Sequence, residues 1–150
     1  MAQIADITVY DGASTPVSHT LKAVSVSSEK GVKIVEWREK LASLPDEAQV
    51  SCILRQTRLA SGVVKQEYTV EFPVMESISG QNSAGYTASP KVAYIDRMVV
   101  TNFAHPRSTV TGRRTCRQLA VNLANNVTSS VAAATSGPIP DAFDSLLLPT

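Results

Sequence analysis

The sequence predicts an α+β fold: an N-terminal β-hairpin, four further strands in an antiparallel sheet, and two C-terminal α-helices. Three observations predict it. Val, Ile and Thr make up about a quarter of the 150 residues, a composition that favours strands. As far as Phe103, apolar and polar residues alternate with the period of a strand. From Thr111 the period lengthens to that of a helix, and strands segregated from helices indicate α+β architecture.

The elements follow in chain order. Ile4 to Tyr10 reads as a strand, closed by the turn signal Asp11-Gly12, and His19 to Ser27 alternates as its hairpin partner. Gly31 opens a strand from Val32 to Arg38 with Val35 and Trp37 on one side. Leu44-Pro45-Asp46-Glu47 is a turn. Gln49 to Arg58 then sets Val50, Cys52 and Leu54 against Gln49, Ser51, Ile53 and Arg55. Ser61-Gly62 breaks that run, and Val63 to Val74 resumes with Tyr68, Val70 and Phe72 on one side. Ser77 to Pro90 is rich in Ser, Gly, Asn and Ala, a loop long enough to suggest function or mobility. Lys91 to Phe103 is the last strand, with Tyr94, Asp96 and Met98 opposite Ile95, Arg97 and Val99. Both of its sides carry apolar residues, so its core side stays open.

Cys116, Leu119, Ala120, Leu123, Val127 and Val131 recur at helical spacing, which predicts an amphipathic helix from Thr111 to Ala134. Gly137-Pro138-Ile139-Pro140 breaks it, and Asp141 to Leu148 forms a second, short helix carrying Phe143 and Leu147. The expected organisation is one domain over residues 1–150. Its parts are a hairpin at 1–28, a sheet at 31–103 with the loop 77–90, and helices at 111–148.

Composition excludes several classes. With 43% hydrophobic and 18% charged residues the chain reads as globular. A net charge of +1 rules out whole-molecule electrostatics as a reason to bind anything. The polar start is unlike a secretory signal, and no apolar run approaches a membrane span, so a soluble protein made in a reducing cytosol is expected. Cys52 and Cys116 lack CxxC spacing and read as two buried small hydrophobes. No catalytic motif is present. His19 and His105 read as surface or turn residues without a carboxylate or Cys at motif spacing, and no cofactor or metal is expected. Arg113-Arg114-Thr115-Cys116-Arg117 reads as a solvated face whose charges oppose the helix dipole; RNA or subunit contact is the alternative.

A helix over 111–134 would be about 36 Å long, whereas five strands span only about 24 Å. Its stripe therefore needs another surface, and a two-fold dimer with each helix on the partner's sheet supplies one. Cys116, Leu119, Ala120, Leu123, Val127, Phe143 and Leu147 are the candidate dimer-interface residues. With the apolar sides covered by helices, the other sheet face carries Glu36, Arg38, Gln49, Ser51, Arg55, Lys65, Glu67, Thr69 and Glu71, of which Arg38, Gln49, Ser51, Arg55, Lys65 and Thr69 are the candidate RNA contacts. These side chains suit phosphate and base contacts, although a solvated face of mixed charge is common in antiparallel sheets.

Gly31-Val32 to Glu36-Trp37, Val50-Ser51-Cys52-Ile53-Leu54-Arg55-Gln56, Tyr68-Thr69-Val70-Glu71-Phe72-Pro73 and Gly137-Pro138-Ile139-Pro140 occur in an order and spacing that resemble the coat protein of single-stranded RNA bacteriophages, the leviviruses. The resemblance covers essentially the whole chain. It implies an N-terminal β-hairpin, a five-stranded antiparallel sheet and two C-terminal α-helices interlocking in a dimer, with dimers whose sheets join and which tile an icosahedral shell, usually T=3, around the genome. Partners are then the chain itself, single-stranded genomic RNA and a phage maturation protein, with no membrane. The location is the virion, assembled in the bacterial host cytoplasm. It further implies that Ser79, Gly80, Gln81, Asn82, Gly85 and Tyr86 form an inter-dimer loop, and that Tyr94 and Asp96 join the RNA face. Binding of an RNA hairpin as translational repressor is also implied. Ile53, Glu67 and Met98 depart from the family pattern there, so packaging carries over better than a specific hairpin. The alternative is a small dimeric RNA-binding regulatory module that builds no shell.

Overall fold

The computed structural model describes residues 4–77, 80–89 and 91–150. One antiparallel sheet contains all six strands in sequence order: β1 (Ile7–Tyr10), β2 (Ser18–Glu29), β3 (Val32–Glu39), β4 (Ser51–Arg58), β5 (Val64–Met75) and β6 (Val92–Ala104). Two helices follow, α1 (Val110–Ala124) and α2 (Pro138–Ser145). The α+β class is as the sequence predicts, with one strand more in the sheet than the resemblance implies. The hairpin is not a separate flap, because β2 continues to Glu29 and pairs with β3 as far as Glu29–Val32. Lys30 (φ 48°) and Gly31 (φ 80°) both adopt positive φ, the geometry of a two-residue turn whose twist matches its strands.

The core lies on one face of this sheet. Leu21, Val35, Trp37, Cys52 and Leu54 pack there against Ala142 and Phe143 of α2 and against Leu148 beyond it. An aliphatic side chain as fully buried as Leu54 contributes about 1.5–3 kcal/mol. The Trp37 indole donates to the carbonyl of Ala5 at 2.9 Å, and the amide of Ile4 donates to the carbonyl of Thr150 at 3.0 Å, so Ile4 and Ala5 are tied to the core and to Thr150. Gln66, fully buried, fastens α2 to the sheet: its amide donates to the carbonyl of Ala142 at 2.6 Å and accepts from Asn102 at 2.9 Å.

The helix boundaries differ from the sequence expectation. α1 stops at Ala124, not Ala134, because Asn126 takes a left-handed conformation (φ 50°) and the amide of Val127 turns back to the carbonyl of Asn122 at 2.9 Å. Its start is capped by Thr109, whose hydroxyl accepts from the amide of Gly112 at 3.1 Å. Pro138 begins α2 instead of separating two helices, since a proline at the first helical position gives up no hydrogen bond. Leu146 (φ 59°) ends α2 early and turns Leu147 outward.

Candidate dimer interface and nucleic-acid face

α1 has no buried residue, although it is amphipathic. At 15 residues it is about 22 Å long, so the expected overhang beyond the sheet is absent. Its apolar stripe is uncovered all the same: Leu119 is 60% and Leu123 74% exposed. Between α1 and the core face of the sheet runs an open groove of about 670 Å³, lined among others by Tyr68, Val70, Met98, Val100, Ala120 and Val121. Val127 is half-buried, and Ala120, Val131 and Leu147 are exposed. Two expectations need correction, the interface place of Phe143 and the burial of Cys116. Phe143 is buried in its own chain, its ring set edge-on to Tyr68 with centroids 5.7 Å apart. Cys116, expected to be buried, is exposed beside the groove, while burial of Cys52 pushes its thiol pKa up to about 11.

Three arginines join the two helices. Arg113 donates to the carbonyl of Asp144, and Arg114 and Arg117 donate to its carboxylate. The cationic run of α1 is thus not a solvated face but is compensated by a buried acid.

Strand register defines the opposite, open face. One cross-strand row holds Arg38, Ser51, Glu71 and Arg97; the next holds Glu36, Ile53, Thr69 and Val99. A third holds Ile34, Arg55, Glu67 and Thr101, and a fourth Thr57, Lys65 and Phe103. Arg38 pairs with Glu36 at 2.6 Å and Arg97 with Glu71 at 2.6 Å. Glu67 serves two cations, Lys65 at 2.9 Å and Arg55 at 4.0 Å. The hydrogen bond from Lys65, aided by Thr101 and the charge of Arg55, holds the Glu67 carboxyl below its ordinary pKa against the opposing effect of burial.

Arg38, Ser51, Arg55, Lys65 and Thr69 therefore share the open face, with Ser51 and Thr69 buried among longer neighbours. Tyr94 and Asp96 do not join them. Asp96 pairs with Phe72 and Tyr94 with Val74, which places both on the helix side; Ile95 and Arg97 face the open side instead. Gln49 is likewise no surface residue. It is 4% exposed, accepts from the amide of Leu41 at 3.0 Å, and donates to the carbonyls of Leu41 and Leu44 at 2.8 Å each. Its amide holds the β3–β4 connection.

His19 is also not a surface residue. It sits in β2 with Nδ1 3.3 Å from both oxygens of the buried Glu39 and Nε2 3.6 Å from Asp11. In the loop before β6, Gly80, Gln81, Asn82, Gly85 and Tyr86 are exposed. The Asn82 side chain accepts from the amides of Ala84 and Tyr86 and shapes the tip. Ser79 lies outside the described residues. Among the described residues no cluster of His, Cys, Asp and Glu could hold a metal ion, and no helix is long and apolar enough to cross a membrane.

The levivirus coat protein family matches residues 2–146. Among solved structures, the virus-like particle of bacteriophage EMS014 is similar at 24% identity and a TM-score of 0.68, over 98% of this chain and 99% of the other. The virus-like particle of bacteriophage ESE058 is similar at 20% identity and a TM-score of 0.69, over 97% and 98%. The bacteriophage GA protein capsid is similar at 15% identity and a TM-score of 0.54, over 95% and 94%. No match is found among curated proteins.

Proposed function

Since the chain belongs to the levivirus coat protein family, and so is a capsid-forming structural protein of the virion and not an enzyme, we propose that its unit of assembly is a two-fold dimer in which each α1 lies across the partner's sheet. The observation that carries this reading is the pairing of two unsatisfied surfaces in one chain. α1 has no buried residue, and the groove beside it is apolar and open. Ala120, Leu119 and Leu123, with Val127 at the helix end, are the interface residues of this reading. Phe143 supports them from within its own core. The loop residues Gly80, Gln81, Asn82, Gly85 and Tyr86, exposed at the far end of β5 and β6, are its contacts between dimers.

The open face then lines the shell and holds single-stranded RNA, with Arg38, Ser51, Arg55, Lys65 and Thr69 as its polar contacts. A maturation protein is a further partner of the assembled particle, and assembly takes place in the bacterial cytoplasm. Packaging without base-specific readout suits this face better than recognition of one hairpin, since each cation already stands near a carboxylate. Expression in bacteria followed by electron microscopy and nuclease-protected RNA recovery tests the whole reading. Particles containing host RNA are expected; a dimer-sized species alone would favour a regulatory module that builds no shell. Arg55→Ala and Lys65→Ala should each weaken RNA binding and flatten its salt dependence, and unchanged slopes would exclude this face.

A further inference from the structure

We infer that Phe103, with Lys65 and Arg55, forms a base-stacking subsite for single-stranded RNA at one end of the open face; this rests on the RNA-packaging reading above. Phe103 closes the row of Val32, Thr57 and Lys65 and is directly opposite Lys65, which places their Cβ atoms about 5 Å apart. It lies on the side of the sheet away from the core and is 61% exposed, an aromatic ring that no core contact explains. Aromatic rings with a free face beside cations are the general means of holding unpaired bases without sequence preference.

Charge points to the same end of the face. Arg38 with Glu36 and Arg97 with Glu71 each pair one cation with one carboxylate at 2.6 Å. At Glu67 two cations share a single carboxylate, and the second of them, Arg55, stands 4.0 Å away. Among the described pairs of this face the surplus positive charge is therefore beside Phe103. Arg55 and Lys65 side chains are more than a third exposed, so a phosphate can reach both while a base stacks on the ring.

The test compares two probes on disassembled coat protein: a short oligoadenylate and an abasic oligoribonucleotide of the same length. Phe103→Ala should weaken oligoadenylate binding by roughly five- to a hundredfold and leave the abasic probe unaffected. Lys65→Ala should weaken both. Phe103→Trp should retain binding, and its new indole emission should be quenched by oligoadenylate but not by the abasic probe, a readout that stands if the Ala variant fails to fold. If wild-type protein binds oligoadenylate and Phe103→Ala binds it equally well, the subsite is overturned while RNA packaging stands. If wild type binds neither probe, the packaging reading itself fails. Loss of particle stability without loss of base-dependent affinity would make Phe103 a contact between copies and would also overturn the subsite.

Discussion

Asp144 and Arg117 meet through two parallel hydrogen bonds, Nε to Oδ1 at 2.9 Å and Nη2 to Oδ2 at 2.8 Å. The same guanidinium donates to the carbonyl of Ala134 at 2.7 Å, and Arg114 adds a third bond to the carboxylate at 3.1 Å. Paired planar groups of this kind fix geometry as well as charge. Here they orient α1 relative to α2, and through α2 relative to the sheet.

Asp144→Asn should destabilise the protein by about 3–5 kcal/mol, because two partly covered guanidinium groups lose their compensating charge. Urea unfolding of variant and wild type at equal concentration measures this. An unchanged midpoint would show that the clasp adds nothing.

The same group sets an acid limit. Burial pushes the Asp144 pKa up, but hydrogen bonds and charges from Arg117 and Arg114 outweigh that and hold it below its ordinary value of 3.8. Since the folded-state value is the lower one, the clasp's stabilisation is fully present above pH 3.8 and fades as the pH falls below it. Circular dichroism during acid titration should show wild type losing this contribution at low pH, with Asp144→Asn lacking that component of the loss.

Gln66→Ala should cost about 1–3 kcal/mol for the orphaned Ala142 carbonyl and the Asn102 amide, together with a cavity penalty. Thermal unfolding reports the loss. Gln66→Glu should fare no better, since a carboxylate offers no donor to that carbonyl.

Gln49→Ala should lower stability by about 1–3 kcal/mol and leave RNA affinity and its salt slope unchanged, because the side chain serves only the loop at Leu41 and Leu44. Parallel unfolding and RNA-binding measurements separate the two effects. A change in salt slope would return Gln49 to the nucleic-acid face.

Leu119→Asp together with Leu123→Asp should leave secondary structure intact and abolish particles, since both positions are exposed in the single chain yet lie on the proposed interface. Size-exclusion chromatography reads the result directly. Normal particles from this variant would exclude α1 as the dimer element.

Alternation made most of the sheet legible. Val35 and Trp37, Cys52 and Leu54, and Tyr68 and Val70 all occupy the side that the sequence assigns to the core. β6 resisted that logic because Ile95, Val99 and Phe103 alternate with Tyr94, Met98 and Val100. With apolar groups on both sides, only pairing to β5 decides the face, and a one-residue difference inverts it. For the same reason Phe103 escaped notice as a site residue, while Tyr94 and Asp96 drew it. The end of α1 was written in Asn125-Asn126, a left-handed stop signal that the continuing apolar spacing at Val127 and Val131 obscured. Gln49 and Asp144 could not be read in advance, because long-range burial, not local pattern, fixes what a polar side chain serves.

An α1 with no buried residue gives the chain an unusual dependence on its own abundance. In the dimer proposed above, a neighbouring copy adds to the clasp at Asp144 the burial that this helix lacks in its own chain, so stability rises with protein concentration by mass action. In a dilute lysate residues 110–124 are then held less firmly than in the dimer and are more open to a protease. The rate of translation, set against the rate of encounter between nascent chains, decides how many copies survive to enter a shell.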